Sequence, residues 1–278
     1  AKDAGRNRVH VHTPDDAEVE ERWGQMQWAS RIQQAIDEDR LRLYSQPIVP
    51  AKGVVASPHH FEIFVRMVGN DGEMVPPGAF IPAAERYDLM TSIDRWVVRN
   101  TLAWMGSESS DRSIIAVNLS GASVNNRDFL EDIKAQIAHY RVPPERLCFE
   151  ITETAAISDL VKARHFIDEL KTLGCKFALD DFGSGLSSFG YLKTLPVDYL
   201  KIDGMFVRDI LTDPFDNAMV ESINSIGQLM GLETIAEFVE NQAIMDRLAE
   251  IGIDYVQGYH IGRPEPLESF GNIRFWPR

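Results

Sequence analysis

Cysteine is nearly absent from this sequence: only Cys148 and Cys175 occur in 278 residues. Both sit in apolar, strand-like surroundings, so a disulfide-stapled secreted scaffold is excluded and both are read as reduced core residues. Long apolar runs are missing too. None approaches the roughly 18 residues that span a bilayer, so no membrane segment is predicted within the given residues. Positive charge is scarce: 28 Lys and Arg stand against 42 Asp and Glu, a net charge of −14. That balance excludes a basic patch of the kind that binds nucleic acid, and no DNA partner is expected. The Gly-x-Gly-x-x-Gly fingerprint of a dinucleotide-binding sheet follows none of the strand-like runs. The expected compartment is the cytoplasm, including the cytoplasmic part of a membrane-anchored sensor.

What is present centres on Phe177-Ala178-Leu179-Asp180-Asp181-Phe182-Gly183-Ser184-Gly185. A strand-like apolar run leads into two adjacent carboxylates, then into a Gly-Ser-Gly turn. Neighbouring Asp side chains at a strand end repel each other unless positive charge lies between them. Divalent cations such as Mg²⁺ or Mn²⁺, which favour hard oxygen ligands, would supply it. A lone Asp-Asp pair is more often a solvated turn. The rest of the chain tips the balance, because its short apolar runs keep ending in an acid or an amide.

Those runs are Leu43–Ile48, Phe61–Arg66, Ile114–Leu119, Leu147–Thr152, Lys176–Asp181, Asp198–Ile202, Thr234–Glu237 and Tyr255–Gln257. Amphipathic segments separate most of them: Ile93–Met105, Phe129–Tyr140, Val161–Leu173, Ala218–Met230 and Gln242–Ile251. Strands alternating with helices over most of the chain predict an α/β fold, a (β/α)8 TIM-like barrel. An open doubly wound sheet is the alternative, and the missing nucleotide fingerprint speaks against it. The proline-rich stretch 67–92 is expected to be the least regular part. Upstream, Thr13-Pro14-Asp15-Asp16 reads as a helix start. Val19, Trp23, Met26, Ile32 and Ile36 continue at helical spacing, giving a helix over roughly 15–38 within a linker 14–40.

The C-terminal mouth of such a barrel is where its chemistry sits. The strand ends supply Glu62 and Arg66, Asn118, Glu150 and Glu153, Asp180 and Asp181, Lys201 and Asp203, Glu237, and Gln257. By strand alternation, Glu62 shares a face with Arg66, Asn118 with Ala116, Asp180 with Ala178, Lys201 with Tyr199, and Glu237 with Ile235. Glu62, Asn118, Glu150 and Asp180 are enough oxygen donors for one octahedral ion. Asp180 could bridge to a second ion held by Asp181 and Glu237. Lys201 among these acids is either a charge-balancing partner or a base. Arg66 suits phosphate recognition through its planar fork of donors.

These motifs resemble the EAL family, the bacterial phosphodiesterases of cyclic di-GMP. The stretches that carry the resemblance are Tyr44-Ser45-Gln46-Pro47-Ile48, Phe61-Glu62-Ile63-Phe64-Val65-Arg66, Val117-Asn118-Leu119-Ser120, Phe149-Glu150-Ile151-Thr152-Glu153, Asp180-Asp181-Phe182-Gly183-Ser184-Gly185, Asp198-Tyr199-Leu200-Lys201-Ile202-Asp203, Ala236-Glu237-Phe238-Val239-Glu240 and Asp254-Tyr255-Val256-Gln257-Gly258-Tyr259. The resemblance covers the chain from Leu41 to about Pro266 and implies a barrel, residues 41–278, whose mouth binds two Mg²⁺ or Mn²⁺ ions and opens cyclic di-GMP to linear pGpG. It implies Glu62, Asn118, Glu150, Asp180, Asp181 and Glu237 as metal ligands, and Lys201, Glu237 and Gln257 as catalytic. Lys201 would activate water as base or through an ordered water. Gln46, Arg66 and Asp203 would meet the substrate, Gln46 near guanine and Arg66 at phosphate. Glu153 would anchor the loop after Asp181. That loop, 182–190, and its neighbouring helix would form a homodimer contact. Residues 1–13 resemble the C-terminal end of a GGDEF (diguanylate cyclase) domain, so an upstream GGDEF domain is expected to act through the 14–40 helix. A catalytically silent receptor for the same dinucleotide is the alternative, against which the full ligand set argues.

The name-giving Glu-Ala-Leu reads Glu62-Ile63-Phe64 here. Glu62 is kept. Phe64 should share its inward face and bring a bulkier ring near the substrate, while Ile63 should face the helix layer. His59 and His60 are read as lying toward the barrel bottom, not as ligands, and Trp23, Trp28, Trp96 and Trp104 as helix-packing aromatics.

Overall fold

The computed structural model describes residues 28–52, 60–107, 112–184 and 189–272. The expectations for residues 1–13 and for most of the 14–40 helix therefore lie outside the described residues, as do His59, Trp23 and positions 185–188 of the proposed dimer loop. The chain forms two compact units, Ala1–Leu41 with Met67–Leu89, and Arg42–Arg66 with Met90–Arg278.

In the first unit, helix α1 covers 28–37 and buries Ile32 and Ala35. Strand β1 (Leu41–Pro50) begins at this unit's edge, and strand β2 (His60–Val68) ends in it. The end of β2 pairs antiparallel with the short strand β3 (Met74–Val75). Helix α2 (Pro77–Arg86) follows and buries Phe80, Ala83 and Ala84. The stretch expected to be least regular is thus partly ordered. Pro77 opens α2, where a missing amide N–H does no harm. Pro82 lies inside it, and the buried Phe80–Ala84 face holds the helix regardless.

The second unit is the barrel. Its strands run β1, β9 (Tyr255–Gln257), β8 (Glu233–Ala236), β7 (Tyr199–Ile202), β6 (Lys176–Phe182), β5 (Leu147–Thr152), β4 (Ile114–Leu119) and β2, and the β1–β2 pairing closes the ring. Each of the eight lies where an apolar run predicts it. Helices α3 (Met90–Ser107), α5 (Arg127–Tyr140), α7 (Leu160–Lys171), α9 (Pro214–Met230) and α10 (Gln242–Ile251) match the amphipathic segments. Short elements not foreseen include α4 (Gly121–Val124), α6 (Glu153–Ser158), α8 (Gly204–Arg208) and β10 (Glu265–Pro266), which pairs antiparallel with β1.

One strand departs from a uniformly parallel ring. β1 runs antiparallel to β9, while β2 and β4 to β9 are mutually parallel. The connection over 51–59 is too short for a parallel crossover, which needs a dozen residues or more, so β1 and β2 must run in opposite directions.

The barrel interior is layered. Ile48, Ala116, Cys148, Ala178, Tyr199 and Ile235 form a buried apolar plug. Two residues further along each parallel strand, on the same inward face, stands a polar group: Asn118 after Ala116, Glu150 after Cys148, Asp180 after Ala178, Lys201 after Tyr199, Glu237 after Ile235. β1 runs the other way, so its polar residue, Gln46, comes two places before Ile48. The same alternation that seals the floor with apolar atoms therefore lines the mouth with ligand atoms. His60 lies on the floor side, buried against Tyr199 and Tyr255, and desolvation with Lys201 and Lys176 nearby lowers its pKa to about 3. It is a neutral packing residue, as expected.

Candidate active site

Lys201 is the centre of the polar layer and is 0% exposed. Its Nζ donates to Glu150 Oε2 at 2.7 Å and to Glu62 Oε2 at 3.2 Å. Glu237 Oε1 lies 2.8 Å away and Asp180 Oδ1 3.0 Å away. Four carboxylates thus converge on one ammonium. Burial alone would lower its pKa, but Asp180, Glu150, Glu237 and Glu62 together outweigh burial and hold it well above the usual lysine value. Three acids are also pushed upward, which in a carboxyl disfavours the charged form. Burial raises Glu150 well above its normal value, with Glu62 adding. Burial brings Glu237 to about 8, Lys201 opposing and Asp180 adding. Burial and the neighbouring charges of Asp180 and Asp203 bring Asp181 to about 6.

Amide side chains lock the acids in place. Asn118 Nδ2 donates to Glu62 Oε1 at 2.6 Å, and Gln257 Nε2 to Glu62 Oε2 at 2.8 Å. Gln257 Nε2 also reaches Gln46 Oε1 at 3.2 Å, and Gln46 Nε2 donates to Gly262 O at 2.8 Å.

Two adjacent Asp residues on a strand should face opposite sides. Here the β6–β7 register slips between Leu179 and Phe182, leaving one extra residue in β6. Asp181 takes up the slack in the left-handed region at φ 54°, and Gly183 follows at φ 97°. This bulge turns Asp181 back toward the mouth. As a result Asp180, Asp181 and Glu237 offer carboxylate oxygens within 4.8 Å of one another.

The donor set fits divalent cations. Glu150 Oε1 and Gln257 Oε1 are buried acceptors without a hydrogen-bond partner, and Asp180 Oδ1 has only its ion pair with Lys201. Unpartnered buried acceptors are unfavourable, and a cation would satisfy them. The perturbed carboxyls also give a pH prediction. A carboxyl whose folded pKa lies above its unfolded one stabilises the fold at low pH and loses that contribution as pH climbs through the folded value. Without added cations, the thermal midpoint should therefore fall as pH rises from about 5 through about 8, the range set by Asp181 and Glu237. Saturating Mn²⁺ should flatten that decline. Scanning fluorimetry in EDTA and in Mn²⁺ would test it, and a midpoint that rises with pH in EDTA would contradict it.

A cavity of about 410 Å³ opens above the polar layer, lined among others by Gln46, Glu62, Phe64, Arg66, Asn118, Asp180, Glu237, Phe238, Gln257 and Tyr259. The Arg66 guanidinium lies 5.5 Å from the Tyr44 ring and 5.8 Å from that of Phe64. Phe64 is on the cavity side and Ile63 is buried, as alternation predicts. Of the other predicted residues, Asp203 accepts from Met205 N at 2.9 Å as the N-cap of α8 and does not line the cavity. Glu153 is the first residue of α6, directly after the end of β5, and is buried; it accepts from Gly183 N at 3.0 Å and Tyr191 OH at 2.6 Å.

Sequence reasoning missed several contributors. Phe238 lines the cavity with a left-handed backbone, φ 55°, a conformation that strains a bulky residue by about 1–3 kcal/mol. Its ring covers Gly204, where a β-carbon would overlap it. Position alone, directly after Glu237, could have marked it. Asp94 was missed too, although it falls on the face of α3 that carries Val98, Leu102 and Met105, all buried.

Comparison with known proteins follows this geometry. Residues 29–264 match the family model described as the EAL domain. Cyclic di-GMP phosphodiesterase PdeB of Shewanella oneidensis is 44% identical over 272 residues, covering 97% of this chain and 32% of that protein. Cyclic di-GMP phosphodiesterase PdeF of Escherichia coli is 37% identical over 240 residues, covering 86% and 32% respectively. The chain thus spans about a third of the length of these curated relatives. The crystal structure of the FimX EAL domain from Pseudomonas aeruginosa bound to c-di-GMP superposes with a TM-score of 0.80 at 32% identity, covering 86% of this chain and 96% of that one.

Proposed function

The chain belongs to the EAL-domain family, and on that premise we propose that it is a metal-dependent phosphodiesterase that hydrolyses cyclic di-GMP to linear pGpG. The observation that carries this reading is the buried Lys201 inside a ring of four carboxylates at the floor of an open cavity. Relatives bearing the phosphodiesterase name share up to 44% of its residues over nearly the whole chain.

Glu62, Asn118, Glu150, Asp180, Asp181 and Glu237 are the residues that would hold two Mg²⁺ or Mn²⁺ ions. Such ions supply a water nucleophile at neutral pH and neutralise charge on the phosphodiester. The chain's own groups have separable tasks. In the ion-free site four acids favour the charged form of Lys201, and cations on those acids would draw its pKa down again. Its proposed task is water activation, as base or through an ordered water. Gln257 and Asn118 fix both oxygens of Glu62. Arg66, on the cavity wall near the Tyr44 and Phe64 rings, would receive a phosphate, and Gln46 would meet a base, as the motif resemblance implies. Glu153 ties Gly183 and Tyr191, the two flanks of the loop beyond Asp181, to one carboxylate. A homodimer contact through the 182–190 loop rests on the motif resemblance. Asp203 contributes by capping α8 beside the rim, and its substrate contact rests on the motif match alone. An upstream GGDEF domain rests likewise on the resemblance of residues 1–13.

Incubation with cyclic di-GMP and Mg²⁺ at micromolar protein should yield pGpG, resolved by ion-exchange chromatography. Dinucleotide binding without product would overturn the enzyme reading in favour of a receptor.

A further inference from the structure

We propose that Asp94 is a positioning residue: from helix α3 its carboxylate pins the turn after β4 and so sets the place of Asn118 beside Glu62. This rests on the reading above that Asn118 and Glu62 hold a divalent cation.

Asp94 is 5% exposed, on the apolar face of α3. A single oxygen, Oδ2, accepts three hydrogen bonds: from Ser120 N at 2.9 Å, Ser120 Oγ at 2.6 Å and Ser123 Oγ at 2.7 Å. Hydrogen bonds to a charged acceptor are about twice as strong as neutral ones. Burial pushes this carboxyl upward on balance, and the hydrogen bonds from Ser120 and Ser123 pull it part of the way back. Ser120 is also the N-cap of α4, its Oγ accepting from Ser123 N at 3.3 Å. One carboxylate therefore governs both the end of β4 and the start of the next helix.

That end is held by the sheet on one side only. The β2–β4 ladder stops at the Ile63–Val117 pair, one residue short of Asn118. On the other side the β4–β5 ladder runs on through Asn118–Glu150 and stops at Leu119–Ile151. Asn118 thus leaves β2 while its side chain still has to meet Glu62 of β2 at 2.6 Å. Asp94, anchoring position 120, supplies the missing restraint on the β4 end. Partners standing behind a metal ligand commonly alter metal affinity by about 10–100-fold.

The test is a Mn²⁺ titration of the intact protein followed by electron paramagnetic resonance, with thermal midpoints measured in parallel. Asp94→Asn keeps the shape and removes the charge; it should weaken Mn²⁺ binding about tenfold. Ser123→Ala removes one of the three donors and should weaken binding about two- to threefold, in the same direction. Val98→Ala, a buried change on the same helix, should lower the midpoint while leaving Mn²⁺ affinity unchanged. Equal affinity in Asp94→Asn and the parent would overturn the proposal, as would an equal loss in Val98→Ala. Should Asp94→Asn not fold, unchanged affinity in Ser123→Ala overturns it alone. A parent protein that binds no Mn²⁺ overturns the cation reading itself, and the role of Asp94 with it.

Discussion

Replacing Lys201 by methionine is expected to lower turnover at least about a hundredfold and to destabilise the cation-free protein at pH 8 by roughly 3–5 kcal/mol. The second effect is the more diagnostic. Lys201 is wholly buried and touches Glu62, Glu150, Asp180 and Glu237 at 2.7–3.2 Å. Methionine matches its bulk but offers no charge, so four carboxylates would face one another without a counter-ion. Their remaining escape is protonation, which low pH favours. The Lys201→Met protein should therefore regain stability as pH falls toward about 5, more steeply than the parent. Saturating Mn²⁺ should restore it at high pH, since a cation can replace the missing ammonium. Chemical denaturation at pH 5 and pH 8, with and without Mn²⁺, measures all three arms. A Lys201→Met protein as stable as the parent at pH 8 in EDTA would show that the acids are not held by this lysine.

The position of this charge cluster was largely legible from sequence because barrel geometry is repetitive. Strands β4 to β8 carry the same two-step pattern, an apolar residue on the plug followed by a polar one on the mouth, as in Ala178 then Asp180 or Tyr199 then Lys201. A period of two is read directly from the residues. What that period does not explain lies where local geometry departs from it. Asp181 by simple alternation should face away; only the β6 bulge and its left-handed backbone return it to the mouth. The reversal of β1 has a visible cause, the short 51–59 connection, but its consequence for Gln46 depends on ring closure that no local window contains. Helix α2 was hidden by its prolines, since Pro82 argues against helix locally while the burial of Phe80, Ala83 and Ala84 decides in its favour. Asp94 shows the converse: a charge on an apolar helix face is a legible anomaly, yet its partners, Ser120 and Ser123, are named only by the fold.

Changing Asp180 to asparagine should act on activity and stability with opposite signs, and so separate ligand duty from structural duty. Asp180 is 8% exposed, with an oxygen that lacks a hydrogen-bond partner and stands 3.0 Å from Lys201. It also belongs to the trio with Asp181 and Glu237. Asparagine preserves the outline but removes the charge that a cation needs. Turnover should drop by more than about a hundredfold, beyond the loss expected for a group that only supports a ligand. In EDTA the reverse holds for the fold. The ring sets four carboxyl groups against one ammonium, so one acid fewer relieves repulsion while leaving Lys201 three partners. The midpoint should rise, by about 2–4 °C for each kcal/mol gained in a chain of this size. The increase that Mn²⁺ gives the parent should shrink in the variant. Glu237 should also titrate lower, because Asp180 is one of the charges that raise it. A folded Asp180→Asn protein that loses stability in EDTA and keeps the full Mn²⁺ increment would mean that Asp180 serves the fold. The cations would then have to be held by the remaining acids alone.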